Sequence, residues 1–370
     1  TSLSISPSNP QIIYAGIANA STSQILGLYK TTDAGTSWSL MSATNYVNAQ
    51  GWYDNVVAVH PSNPGFVLCT GLDIYKSTDN GTTLNQKSYW YNYYDGVVPA
   101  GGPEGTSDYA HADHHAITFE PGNPSTIYFG TDGGVFVSTD GGETFEGRNG
   151  GLVTTQFYNG FANADSDSLI AIGGLQDNGT VKFEGTNLWN KVYGGDGGWC
   201  AIDPVNKNIL YEEYVYLDLA KSTNGGLSWF DINAGLDNGS AKANFIAPFV
   251  ISPSNPNILY AGAKNIFKST NGGTSWAATN GGVNLNGTQL ACIGVSNKNS
   301  DTLIAGTGTG NIGATPLFEI FVSYNGGSTW QNVTSANSLP NRYPTDISFD
   351  PNSSLIAYLT YSGYGTPHVF

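Results

Sequence analysis

Ser269-Thr270-Asn271-Gly272-Gly273-Thr274-Ser275-Trp276 is a turn written into eight residues. A hydroxyl opens it and a side-chain carbonyl follows to accept amide hydrogens. Two glycines can then enter the left-handed region at little cost, and a large aromatic ring closes the phrase. The same phrase appears at Thr31–Trp38, Ser138–Phe145, Ser222–Trp229 and Ser323–Trp330, and more weakly at Ser77–Leu84, where leucine replaces the aromatic residue. Recurrence at spacings of tens of residues means that one supersecondary unit is used repeatedly.

A second phrase precedes most copies. Ser6-Pro7-Ser8-Asn9-Pro10, His60-Pro61-Ser62-Asn63-Pro64, Glu120-Pro121-Gly122-Asn123-Pro124, Asp203-Pro204 and Ser252-Pro253-Ser254-Asn255-Pro256 each stand before an Ile/Tyr-rich run. The unit reads as an apolar strand, a Pro/Asn turn, a second strand, a short strand ending in Lys-Ser-Thr, the octapeptide turn and a last strand. One such sheet cannot bury both of its faces, and radial stacking of sheets solves this. The expected fold is an all-β propeller of four-stranded antiparallel blades. First strands are expected at LSIS, VVAV, AITF, GFAN, WCAI, FVIS, CIGV and DISF, giving eight units and seven or eight blades. The fourth unit lacks an octapeptide, and the eighth stops in its third strand at His368-Val369-Phe370. The expectation is one propeller over residues 1–370, part of a longer polypeptide whose other domains are candidate partners.

With 48 glycines, 22 tyrosines, 8 tryptophans and only 11% charged residues, the composition suits a turn-rich β-protein rather than a disordered chain. A net charge of −15 with 13 lysines and arginines cannot neutralise a run of phosphates, so nucleic acid and anionic membranes are not expected partners. No apolar run is long enough to span a bilayer. Cys69, Cys200 and Cys292 sit singly in strand-like runs, without metal or redox spacing, and read as buried small hydrophobes. Low charge, abundant Ser, Thr, Asn and Gly and a first residue other than Met suggest a processed protein at an extracellular or cell-surface location.

The octapeptide resembles the aspartate-box, or BNR, repeat, and the likeness covers nearly the whole chain. Sialidases, sortilin-type receptors, xyloglucan-cleaving glycosidases and photosystem assembly factors share that motif, so the resemblance implies a fold and leaves function open. Sialidase activity is not expected. It needs three arginines around a substrate carboxylate, and this chain has only Arg148 and Arg342.

Strand order places the octapeptides at one end of each sheet. The other end collects Gln50-Gly51-Trp52-Tyr53-Asp54, the link with Trp90, Tyr91, Tyr94 and Asp95, the run His111-Ala112-Asp113-His114-His115, Asp132-Gly133-Gly134, Gln176-Asp177-Asn178-Gly179 and Gly194-Gly195-Asp196-Gly197-Gly198-Trp199. Long links in compact domains tend to carry function. This combination resembles exported bacterial aspartate-box propellers described as glycosyl-hydrolase-like.

The expected ligand-binding residues are Trp52, Tyr53, Asp54, Trp90, Tyr91, Tyr94, Gln176, Asp177, Asp196 and Trp199, with a glycan or a protein as the ligand. The alternative is a glycoside hydrolase of the xyloglucan-cleaving type, with Asp113, Asp132, Asp177 and Asp196 as candidate catalytic carboxylates. A structural module of a surface assembly is the third reading. His111, Asp113 and His115 are candidate ligands for a calcium or zinc ion, with a hydrogen-bonded network that orders the loop as the competing reading.

Overall fold

The computed structural model describes residues 1–94, 103–152, 154–186, 189–309, 317–365 and 367–370. They form two compact units, Thr1–Thr154 and Thr155–Phe370. The fold is all-β, built from antiparallel sheets of the β-propeller type whose strands pair in chain order.

The first unit holds three four-stranded sheets. The first sheet is Ser2–Ile5, Ile13–Ala18, Ile25–Thr31 and Ser39–Ser42, and the second is Val56–Val59, Val67–Thr70, Ile74–Ser77 and Asn85–Gln86. The third is His114–Glu120, Asn123–Thr131, Gly134–Ser138 and Glu146–Gly147.

The second unit holds four more and a partial one. The fourth sheet is Ala162–Ala164, Asp167–Leu175, Gly179–Glu184 and Trp189–Tyr193, and the fifth is Cys200–Ile202, Leu210–Glu213, Leu219–Ser222 and Phe230–Asp231. The sixth is Phe249–Ile251, Leu259–Gly262, Ile266–Ser269 and Ala277–Ala278. The seventh is Leu290–Val295, Leu303–Thr307, Ile320–Ser323 and Gln331–Asn332. The eighth has two strands, Pro344–Phe349 and Ala357–Tyr361, with an isolated bridge from Thr360 to Val369. All eight expected first strands are present, and the last sheet is incomplete as expected.

Within each unit, sheets pack against their neighbours in sequence. The resulting cores are layers between sheets. One layer sets Tyr14 and Leu28 against Val57 and Val67, and another sets Tyr211 and Leu219 against Phe249 and Phe267. The three cysteines are free and buried in these layers.

The octapeptides share one hydrogen-bonding scheme. The opening hydroxyl donates to the Asp or Asn side chain, as from Ser138 to Asp140 at 2.7 Å and from Ser269 to Asn271 at 2.9 Å. It also accepts the amide hydrogen of the residue four positions on, Gly142 at 2.8 Å and Gly273 at 2.9 Å. Those glycines have φ of +83° and +87°, a region that side chains disfavour. The closing aromatic was expected to pack between sheets. Phe145 and Trp276 do, at 5% and 6% exposed, whereas Trp38 is 41% exposed and donates its indole hydrogen to Gly35 within its own turn.

Sequence reading assigned no task to the lysine of the Lys-Ser-Thr phrase. In the structure it joins adjacent sheets. Lys76 donates to the Gly141 carbonyl at 2.7 Å and Lys221 to Gly272 at 2.8 Å, each in the octapeptide of the next sheet, and Lys182 of the fourth sheet, which lacks the phrase, donates likewise to Gly225 at 2.8 Å. The ammonium also lies over an aromatic ring in or just before the second strand, 4.8 Å from Phe66 for Lys76 and 5.0 Å from Tyr211 for Lys221.

Candidate functional site

In the first unit, Gln50–Asp54 folds into a compact turn in which Tyr53 and Asp54 donate their amide hydrogens to the Gln50 carbonyl. Gly51 sits so close to the Ser23 carbonyl that a Cβ would come within 2.6 Å of it, so this position excludes a side chain. The turn turns Trp52 outward, 77% exposed, and Asp54 inward, fully buried.

The Gln50 amide donates to Asp113 Oδ1 at 2.7 Å and to Asp54 Oδ2 at 3.4 Å. Burial, then the charge of Asp113 and a hydrogen bond to it, push the Asp54 carboxyl up to about 8. At neutral pH Asp54 is therefore protonated and donates to Asp113, whose own affinity for protons is raised first by burial. Asp113 holds this pose with φ of +61°.

Asp132 stands at the turn between the second and third strands of the third sheet. Its Oδ2 accepts the Tyr53 hydroxyl at 2.7 Å and its Oδ1 accepts His115 Nε2 at 2.6 Å. The rings of Tyr53 and His115 meet edge to face at 4.8 Å, and Trp52 lies 5.4 Å from Tyr53. Carboxylate oxygens of Asp113 and Asp132 come within 4.8 Å of one another. These residues from two links and one hairpin form a single polar cluster beside an exposed indole.

The histidine run divides by strand alternation. His114 is fully buried, and burial lowers its pKa to about 4, so it stays neutral and donates from Nδ1 to the Gly71 carbonyl at 2.9 Å. His115 points the other way, to the cluster. His111 Nδ1 is hydrogen-bonded at the Ala112 carbonyl at 3.1 Å, and its ring packs so tightly on Gly133 that a Cβ there would lie 2.2 Å away. The candidate metal ligands His111, Asp113 and His115 are thus engaged by different partners. Among the described residues, no grouping of three close ligand atoms contains a histidine, because His111 folds onto Gly133 while His115 is engaged by Asp132.

The aromatic link is exposed, with Trp90 at 41%, Tyr91 at 57% and Tyr94 at 46%. It is anchored by Asp73, which accepts the Trp90 amide hydrogen at 2.9 Å and the Ser88 hydroxyl at 3.1 Å; burial pushes Asp73 up to about 6. Asp95 lies outside the described residues.

In the second unit, the Tyr158 hydroxyl donates to Gln176 Oε1 at 2.6 Å, and Asp196 Oδ1 accepts the Asp177 amide hydrogen at 2.9 Å. Asp196 thus caps the turn that presents Gln176 and Asp177. Trp199, a candidate ligand-binding residue, lies in the core. It is 8% exposed and packs in the core with Leu217 and Phe249, because the glycines before it bring the chain close against Gly174 and Gly179 and turn the indole inward.

Glu212 and Glu213 end a strand in which every residue is buried. Glu213 Oε1 accepts amide hydrogens from Ala247 at 3.1 Å and Leu217 at 3.2 Å, and burial pushes its carboxyl up to about 8. Glu212, raised well above the usual range by burial and then by Glu213, accepts the Thr180 hydroxyl at 3.3 Å. Sequence reading missed this pair. Its signal was a broken repeat, since Leu210-Tyr211-Glu212-Glu213 stands where the sixth sheet has Leu259-Tyr260-Ala261-Gly262.

No family model matches the chain, and no curated protein matches it. Among solved structures, the GH74 enzyme of Niastella koreensis is 17% identical, with 96% of this chain and 68% of that chain covered and a TM-score of 0.29. The GH74 xyloglucanase of Xanthomonas campestris is 13% identical over 97% of this chain and 64% of its own, with a TM-score of 0.29. The YCF48 protein of Cyanidioschyzon merolae is 13% identical over 82% of this chain and 91% of its own, with a TM-score of 0.33. The chain thus spans about two thirds of the length of the two GH74 proteins. Among the described residues, no helix is long and apolar enough to cross a membrane.

Proposed function

We propose that this chain is an extracellular aspartate-box propeller protein that binds a glycan through Trp52 and Tyr53, with Asp132 and His115 as the polar side of the site. The observation that carries the reading is Trp52, 77% exposed on a turn held by Gln50 and the buried Asp54 and Asp113. A rigid, exposed indole is a poor use of apolar surface unless something covers it, and the C–H face of a sugar ring is a suitable cover. Asp132 and His115 supply acceptor and donor groups beside it for ring hydroxyls.

Fluorescence titration of the full chain against a panel of neutral oligosaccharides tests this. Saturable quenching that weakens about tenfold or more in Trp52→Ala, with an unchanged melting temperature, is expected. Equal binding by the variant would overturn the reading.

The second reading is a retaining glycoside hydrolase. It is favoured by Asp113 and Asp132, which bring two carboxylates together with oxygens within 4.8 Å of one another, and such enzymes work with a close pair of carboxyl groups. Release of reducing sugar that Asp132→Asn abolishes would support hydrolysis over binding alone. A calcium or zinc ion would be held at Asp113 and Asp132, whose carboxylate oxygens lie within 4.8 Å of one another. Binding that a chelator removes and added metal restores is the corresponding test.

A further inference from the structure

The lysines and arginines of the first unit are Lys30, Lys76, Lys87 and Arg148, and each has a partner outside the loop-end cluster. Lys30 donates to Asn80, Lys76 and Lys87 pair with Glu143, and Arg148 pairs with Glu146. The cluster itself gathers the carboxyl groups of Asp54, Asp113 and Asp132. Oxygens of Asp113 and Asp132 lie within 4.8 Å of one another, and the basic group bonded to Asp132 is the His115 ring, at 2.6 Å. An anionic sugar such as a uronate would meet like charge here.

Asp54 is fully buried, and its Oδ1 has no hydrogen-bond partner among the described residues. Gln50 engages the other oxygen of that carboxyl, and Asp113 is hydrogen-bonded to the group as well. A buried carboxyl oxygen left over after both contacts marks more acceptor capacity than the chain's own donors satisfy.

The neighbouring surface is aromatic. Trp52 is 77% exposed and Tyr53 44% exposed, and their rings lie 5.4 Å apart. The negative face of an aromatic ring attracts a cation, as a carboxylate does. Indole, phenol and carboxylates therefore favour one kind of ligand, a flat C–H face that carries positive charge. A neutral hexose has the face without the charge. A lysine-rich peptide has the charge without a ring to cover the indole.

We propose that the glycan taken by Trp52 and Tyr53 bears free amines, a deacetylated amino sugar held as its ammonium ion by Asp132 and Asp113. This assignment of charge rests on the glycan reading above. The C–H face of the sugar ring covers the indole, and the ammonium brings N–H donors to the carboxylates. N-acetylation removes the charge and so the preference.

Calorimetric titration of the full chain at pH 6, with a chelator present, compares glucosamine oligomers with N-acetylglucosamine oligomers of equal length. The amine series should bind about tenfold or more tighter. Added sodium chloride should weaken the amine series and leave the acetylated one nearly unchanged, a readout on the native chain that needs no variant. In Asp132→Asn, which keeps the shape of the side chain, the preference should fall below about threefold with an unchanged melting temperature. Equal binding of the two series, both lost in Trp52→Ala, overturns the amine assignment and leaves the glycan reading standing. Binding of neither series overturns the assignment too, and the neutral panel then decides the glycan reading by itself. Displacement of the amine series by a lysine oligomer of equal charge also overturns it, because charge alone would then be what the site reads.

Discussion

Carboxylates at the two ends of the sheets are treated in opposite ways. In the octapeptides, Asp33 and Asp79 are pulled down to about 2, led by the Ser37 hydroxyl for the first and the Thr83 amide for the second. Asp140 reaches about 2 as well, because partial burial, which acts upward, is outweighed by bonds from Thr144, Ser138 and Glu143. At the loop end Asp54 and Glu213 are pushed up to about 8, led in both by burial. What donors can offset decides the sign: in the exposed turns hydroxyls and amides stabilise the charge, while at Asp54 and Glu213 burial outweighs the hydrogen bonds they accept.

The two groups therefore titrate against each other. Stability from a raised carboxyl is complete below its unfolded value near 4 and is lost as pH rises through about 8. Stability from a lowered carboxyl is present above about 4 and is lost as pH falls toward 2. The largest expected effect tests the first half. Glu213→Gln keeps an acceptor for Ala247 and Leu217 but cannot ionise. The native chain should lose on the order of 4 kcal/mol relative to this variant between pH 5 and pH 9. Urea unfolding at the two pH values reads the difference directly, and a gap that does not change with pH would break the contrast.

Lys76→Ala comes next. It leaves the Gly141 carbonyl and Glu143 without their ammonium in a mostly buried position and should cost about 2 kcal/mol. Lys76→Met, which keeps an unbranched apolar stem at this buried position, should recover part of that in the same unfolding assay. Asp140→Ala removes acceptors for Ser138, Glu143 and Thr144, and an expected loss of about 1–2 kcal/mol already allows for solvent exposure. Its melting temperature should also fall less than that of the native chain between pH 5 and pH 2. Trp52→Ala is expected to change stability by less than about 0.5 kcal/mol, since the indole is mostly in water. A drop of several degrees in its thermal scan would mean that the loop end is structural rather than exposed for binding.

The octapeptides and Pro/Asn turns were legible because turn chemistry is local. Asn271 and Gly273 need only neighbours in the chain to do their work, and all eight first strands followed from them. The exposed aromatics of Trp52, Tyr91 and Tyr94 were legible for the same reason. Contacts between distant segments were not. Gln50 reaches Asp113 across 63 positions, and nothing near Asp54 announces that it will be buried beside another carboxyl. Trp199 looked like a ligand platform until the glycines around it turned the ring inward. Glu213 was hidden by a different rule. Strand alternation implies one wet face, but strands between packed sheets are buried on both.

Because each sheet is a meander of consecutive strands and, within each unit, touches chiefly its neighbours in sequence, most pairings close short loops. Ordering can begin in any one meander and spread to its neighbours by small steps, rather than waiting for remote ends to meet. On a ribosome, the strands of Ser2–Ser42 can assemble before those of the second sheet have been made.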